Sequence, residues 1–407
     1  MSVAVPALAR ARLVAVLAVS QVIGWGTTFD MPGVMGRSMA PDVGLSLSAS
    51  FFGLTLMMLV GGLAGPAIGE AIRRHGAARV LAAGSVVTAA GLGLLALSAE
   101  PVVYFLAWVV IGAGGGLALS VPAYAAAVER EGAAARRSIG ILMLFTGVSS
   151  TIFWPILGWL DGLIGWRLAI AVMAGLHLLV CLPLHLFALA EPTATASPAH
   201  EATPANGGPA RDGRAAFPLI AVISVVFSFT TFGMAAAFLE LMRAAGASAD
   251  YALWLGSIRP VLGISARAID LLLDGRGGPV TTALVATGLM AAAFALLAVN
   301  GDGGLLMAFV VLYGLGAGLS AVARAVLPLA YFPPADFARQ SGRLALPQNI
   351  ASAVAPVVFV ALGDHLGAGI VALSGVALMV LALASSALLA KLGDRAAAAA
   401  ARNTELT

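Results

Sequence analysis

One cysteine and one lysine in 407 residues are scarcities that exclude several chemistries. Cys181, standing alone, forms neither an intrachain disulfide nor a CxxC redox pair. Lys391 is followed by leucine, so there is no Walker-type phosphate loop and no ATPase within the chain. The five histidines (His75, His177, His185, His200, His365) make no HExxH and no clustered metal spacing. No GxSxG elbow accompanies the many serines. The expectation is a protein that is no enzyme and needs no metal or cofactor. Any work it does would draw on a gradient of substrate or ion.

What is abundant is hydrocarbon. Hydrophobic residues make up 60% of the chain and charged ones 10%, with a mean hydropathy of +1.00. That composition is foreign to a soluble globular domain. About 20 apolar residues span a bilayer core, and runs of that size recur near 12–35, 46–69, 79–99, 101–127, 138–160, 167–190, 216–239, 250–273, 279–299, 303–329, 343–363 and 366–390. The spacing predicts an all-α membrane protein with twelve transmembrane helices. No small-residue cleavage site follows the first run, which reads as a retained helix.

Charge placement predicts the orientation. Of 22 basic residues, eighteen gather on one side if both termini are cytoplasmic, Arg324 among them; Arg37, Arg167 and Arg243 fall outside, and Arg259 lies within a span. This positive-inside bias suits a multi-pass protein of the cell inner membrane. The net charge of +3 thus reports orientation. The basic residues form short clusters and no aromatic-interleaved stripe, so no nucleic-acid partner is expected. Residues 191–215, rich in Pro, Ala, Thr and Gly, read as a flexible cytoplasmic linker. It separates an N-terminal six-helix bundle, 1–190, from a C-terminal one, 216–407.

The two halves repeat. Gly62, Ala67, Ile68 and Gly76 recur as Gly263, Ala268, Ile269 and Gly277. The run Gly112 to Leu117 (GAGGGL) returns as Gly314 to Leu319 (GLGAGL), and Asp161 returns as Asp364. Parallel six-helix repeats that rock about a central site are the plan of many secondary transporters. The glycine runs suit interfaces that pack closely or slide.

A charge at membrane depth costs from about 3 to more than 10 kcal/mol, so Arg259, near the middle of the apolar stretch 251–269, needs a partner or a task. Pro260 follows it and frees a carbonyl one turn earlier. Two readings stand: an anion site, or an ion pair with a carboxylate such as Asp30 or Glu240. Asp30, toward the outer end of the first helix, is a candidate for ion coupling. Gln21 and Trp25 share a helix face, and Gln348 and Asn349 are amides available to a substrate or to a neighbouring helix. Trp154 and Trp254 are candidate cavity walls. His177 reads as structural, and Glu240 with Arg243 as a surface pair.

The stretch Gly69-Glu70-Ala71-Ile72-Arg73-Arg74-His75-Gly76-Ala77-Ala78-Arg79, together with Gly165-Trp166-Arg167, resembles the major facilitator superfamily. The resemblance extends over the whole chain and implies two pseudo-symmetric six-helix bundles. The family's loop motif has an aspartate where this chain has Arg73, with Glu70 the nearby acid. Gln21-Val22-Ile23-Gly24-Trp25-Gly26-Thr27-Thr28-Phe29 and Arg259-Pro260-Val261-Leu262-Gly263 are similar to the monocarboxylate-porter group and its bacterial relatives. In animal members the arginine–proline pair carries the substrate's negative charge, with an aspartate one turn before it. Here that position is Leu255.

These readings converge on a secondary transporter for a small organic anion, acting as a monomer in the bilayer. Efflux of drug-like amphiphiles, walled by Phe145, Trp154, Phe229 and Phe232, is the alternative, and a transport-dead sensor or scaffold the remote one. Reporter fusions within 191–215 and at Thr407 should both read cytoplasmic; a periplasmic signal at either would overturn the topology.

Overall fold

The structure, a computed structural model, describes residues 7–189, 213–273, 278–299 and 304–405. Arg211, Arg276 and nearly all of the expected linker lie outside them. The described residues are helical almost throughout, as hydrocarbon requires of a chain that must satisfy its own backbone. In order they form α1 (Ala7–Thr28), α2 (Met31–Asp42), α3 (Leu47–Ser50), α4 (Phe52–His75), α5 (Ala77–Ala96), α6 (Pro101–Ala118), α7 (Ser120–Glu131) and α8 (Ala135–Leu176). Then come α9 (Gly213–Ala244), α10 (Ala249–Leu272), α11 (Gly278–Val299), α12 (Leu306–Tyr331) and α13 (Pro334–Glu405).

Among the described residues, ten helical stretches are long and apolar enough to cross a membrane, against the twelve expected. One of the ten runs for 54 residues, Ala135–Ala188, about 80 Å at 1.5 Å per residue. It is interrupted at Gly165, whose φ of 74° and ψ of 160° leave the helix. Gly367 interrupts α13 in the same way (φ 81°, ψ 169°). Few residues but glycine accept that backbone. α10, with its four charged residues Asp250, Arg259, Arg267 and Asp270, is not among the ten.

The chain divides into two compact units, Met1–Glu201 with Pro334–Asn349, and Ala202–Pro333 with Ile350–Thr407. In the first, α4 and α5 pack on α6, and α1 packs on α8. Its core gathers Met31, Met35, Met39, Tyr104, Trp108 and Trp166, and the Tyr104 hydroxyl donates to Ser50 O at 2.9 Å. Residues 334–349 join this unit where Gly342 backs onto Gly65. In the second unit, α10 and α11 pack on α12, as does α9.

The duplication is visible inside each unit. Gly44, Gly76 and Gly165 have positive φ, and so do Gly246, Gly278 and Gly367, each 202 residues later. Ser46 and Ser248, equally spaced, both cap helices with their hydroxyls. Packing also corrects the repeat by one residue. A methyl group added at Gly61 would lie 3.4 Å from Gly112 O, and one added at Gly263 would lie 3.5 Å from Gly314 O. Gly61 is therefore the counterpart of Gly263. Gly62, which the sequence comparison selected, faces Asn349. Adjacent glycines look alike in sequence, and only their opposite faces separate them.

The glycine runs serve packing within each bundle. Gly112 seats against Met57, Gly114 against Thr88 and Gly116 against Gly61. Gly314 seats against Arg259 and Leu262, Gly316 against Met290 and Gly318 against Gly263. A methyl group at Gly318 would come 2.8 Å from Gly263 Cα, whereas one at Gly288 would meet nothing within 4 Å. Gly318→Ala is accordingly expected to cost about 1–3 kcal/mol through overpacking and to lower the melting temperature in detergent. Gly288→Ala should leave it near the parent value; equal melting of both variants would contradict the seat.

Candidate functional site

α10 starts where Ser248 accepts a hydrogen bond from Tyr251 N at 3.2 Å, with Asp250 in the first turn. An N-cap oxygen and an early acid both favour a helix start. Ten residues on stands Arg259, half-buried. The glycines of α12 let α10 approach until the Arg259 carbonyl oxygen would lie 3.2 Å from a methyl at Gly314. The guanidinium carbon lies over the Phe238 ring of α9, 4.9 Å from its centroid. A cation over an aromatic face is stabilised by the ring quadrupole, by roughly 1 kcal/mol. That is small beside the cost of desolvation.

Among the described residues no ion pair involves Arg259. Glu240 pairs with Arg243 at 2.7 Å on the surface. Pro260 stands inside α10, which continues to Leu272. Trp254 is half exposed and stacks on Tyr251 with centroids 5.9 Å apart. Phe229 meets Phe359 edge to face at 5.5 Å, and Phe232 is partly buried.

The remaining candidates belong to the other unit. Asp30 is buried at the junction of α1 and α2 and accepts hydrogen bonds from Ser150 at 2.7 Å and Ser149 at 3.2 Å. Its carboxylate is thus held by hydroxyls of α8, and among the described residues it has no ion pair. Trp154 lies beside it, 51% exposed, and Phe145 of the same helix is 45% exposed. Gln21 is fully buried and its amide donates to Ala118 O at 2.8 Å. Trp25 packs on the core and meets Phe29 at 5.6 Å. Asn349 packs against Gly62 of α4, and Gln348 is partly buried beside it in sequence. The structure therefore groups Arg259 and Trp254 in one unit, and Asp30, Gln21, Trp25, Trp154, Gln348 and Asn349 in the other.

The loop motif has its own wiring. Glu70 accepts from Arg73 Nε at 2.7 Å and Arg74 Nε at 2.6 Å, all three exposed or nearly so. Gly69 packs against Ala338 and Arg339, Gly76 turns the chain at φ 80°, and Arg79 faces outward. Sequence reasoning missed Glu129 of α7, which accepts from Ala77 N at 2.9 Å through one carboxylate oxygen and 3.1 Å through the other. It sits at the N-terminus of α5, where a negative charge opposes the helix dipole favourably. His177, in a π-helical turn at 177–181, is within 2.8 Å of the Thr27 hydroxyl. That contact ties it to α1, in keeping with a structural role.

A second residue escaped notice. Arg324, counted among the inner charges, lies inside α12, seven residues before its end at Tyr331. Its Nη1 donates to Ser228 Oγ at 2.6 Å. The signal was present in the sequence, since the expected span 303–329 already encloses it.

The Major Facilitator Superfamily model matches residues 14–269. No curated protein matches the chain by sequence. Among solved structures, the human organic anion transporter MFSD10 (TETRAN) is similar at a TM-score of 0.70 and 14% identity, covering 93% of this chain and 99% of that one. The proton:xylose symporter XylE gives 0.68 and 15%, covering 95% and 96%. The fucose:proton symporter FucP of E. coli gives 0.65 and 12%, covering 92% and 98%. At these identities the likeness is one of fold.

Glu129→Ala would strand the Ala77 amide and is expected to destabilise the protein by about 1 kcal/mol. Glu70→Ala, which removes only exposed ion pairs, should change stability by less than about 0.5 kcal/mol. Thermal unfolding of the two variants in detergent checks the order, and the reverse order would refute it.

Proposed function

Because the chain belongs to the major facilitator superfamily, and is thus a membrane transporter, we propose that it moves a small organic anion, a carboxylate, by alternating access. The observation that carries this reading is Arg259. A permanent charge is held half-buried in an apolar bundle, resting on an aromatic ring, with no ion pair among the described residues. The balancing charge is then the substrate's. A guanidinium presents paired donors that match a carboxylate. The Arg259-Pro260 pair supports placing the chain with the monocarboxylate-porter-like members. The similar human structure is described as an organic anion transporter, which agrees.

We read twelve crossings. The 54-residue stretch interrupted at Gly165 counts as two, and α10 supplies the twelfth. Both termini and the 191–215 linker lie in the cytoplasm, in a monomer of the inner membrane. Asp30, held by two serine hydroxyls, is the group proposed to exchange a coupling proton. The half-exposed Trp154 and Phe145 favour the second reading, proton-coupled efflux of amphiphiles.

Uptake and counterflow in proteoliposomes, with a panel of carboxylates at two pH gradients, test both. Arg259→Lys should keep part of the transport, since the charge remains while the fork is lost. Arg259→Gln should lower affinity on the order of a hundredfold, a few kcal/mol, with the protein inserted and stable. Normal anion transport by Arg259→Gln would end the anion reading and bring amphiphile efflux forward.

A further inference from the structure

Between Leu219 and Phe238, α9 is apolar except for its hydroxyls, Ser224, Ser228, Thr230 and Thr231. Thr231 spends its hydroxyl on Phe227 O at 2.7 Å. Ser228 Oγ accepts from Arg324, and the Thr230 carbonyl accepts from the Tyr313 hydroxyl at 3.4 Å. Tyr313 and Arg324, eleven residues apart on α12, are separated by three helical turns and share a face. Two hydroxyls are left over. Ser224 Oγ and Thr230 Oγ1 are fully buried and have no hydrogen-bond partner among the described residues. Ser224 lies one turn from Ser228 on the same face. Buried polar atoms are rarely left so.

We propose that Arg324, with Ser228 and Ser224, is a second anion station of this bundle, which receives the substrate's carboxylate after Arg259. The proposal rests on the reading of Arg259 as the first. Depth separates the two. Arg259 is level with Gly314, and Arg324 is ten residues farther along α12, on the order of 15 Å. The Tyr313 hydroxyl lies in the field of both arginines. A small carboxylate is only a few ångströms long and does not bridge that gap, so the stations act in succession. α10 and α12 run in step, since Gly318 meets Gly263 as Gly314 meets Arg259. The same register brings Arg267 to the level of residue 322, near Arg324. Asp270, one turn on, has its Oδ1 on the Thr282 hydroxyl at 2.9 Å. In the proposed topology this end is cytoplasmic.

The test measures half-saturating concentrations separately from each face, in oriented proteoliposomes of the full chain, with acetate, lactate, succinate and benzoate as probes. Arg324→Gln should raise the cytoplasmic-face value about a hundredfold, as loss of a charge-assisted pair does. The outer-face value should stay within about tenfold, because a charge 15 Å away acts weakly. Arg324→Lys should restore part of the loss. Ser224→Ala should raise the cytoplasmic-face value alone, by roughly fivefold to tenfold, and serves if Arg324→Gln fails to fold. If Arg259→Gln is inactive while Ser224→Ala and Arg324→Lys leave both faces at the parent values, the second station is refuted and the first stands. Equal changes at both faces would refute it as well. If no probe is carried by the parent protein, the carboxylate reading and this proposal fall together.

Discussion

Inside a bilayer a backbone amide that loses its partner finds no water to replace it, and the rest of this structure depends on that constraint. It makes the described chain helical almost throughout, and it leaves helix-to-helix distance as the main variable. Glycine sets that distance. Where Gly314 and Gly318 of α12 meet Arg259 and Gly263 of α10, the two backbones are too close for a side chain between them. The main chain that carries Arg259 is then fixed in position on α12, and its side chain reaches from that point to the Phe238 ring.

The charges within the helices are treated in two ways. Asp30 is surrounded by groups that donate to it, two serine hydroxyls from α8. Arg259 is given an aromatic face, which softens its isolation without cancelling its charge. A carboxylate supplied with hydrogen bonds is stable by itself, whereas a cation on a ring still attracts anions. The two charges thus meet different surroundings: hydroxyl donors around the carboxylate and an aromatic face beside the guanidinium.

Composition alone made the membrane class legible, and the spacing of apolar runs gave most of the helices. The breaks at Gly165 and Gly367 fall at or beside the gaps between the expected runs, 160 to 167 and 363 to 366; the backbone angle that makes each break was not readable. The repeat was legible to within one residue. Gly61 and Gly62 are the same letter, and only the helix each one faces tells them apart. Arg259 was conspicuous because it is the one charged residue in the apolar stretch between Asp250 and Arg267. Arg324 was hidden by proximity to a helix end, where arginines ordinarily reach the headgroups; its bond to Ser228, 96 residues away, is a tertiary fact. Glu129 was invisible for the same reason. Its task lies at Ala77, 52 residues back.

The register between the halves has a further implication. Met57 touches Gly112 as Arg259 touches Gly314, so one position in a duplicated scaffold carries a thioether in one copy and a guanidinium in the other. The packing seat is indifferent to this choice, since it is formed by backbone and glycine. A doubled fold of this kind can therefore try a charge in one copy while the other keeps the ancestral shape. Chemical asymmetry then enters a symmetric frame without disturbing the frame.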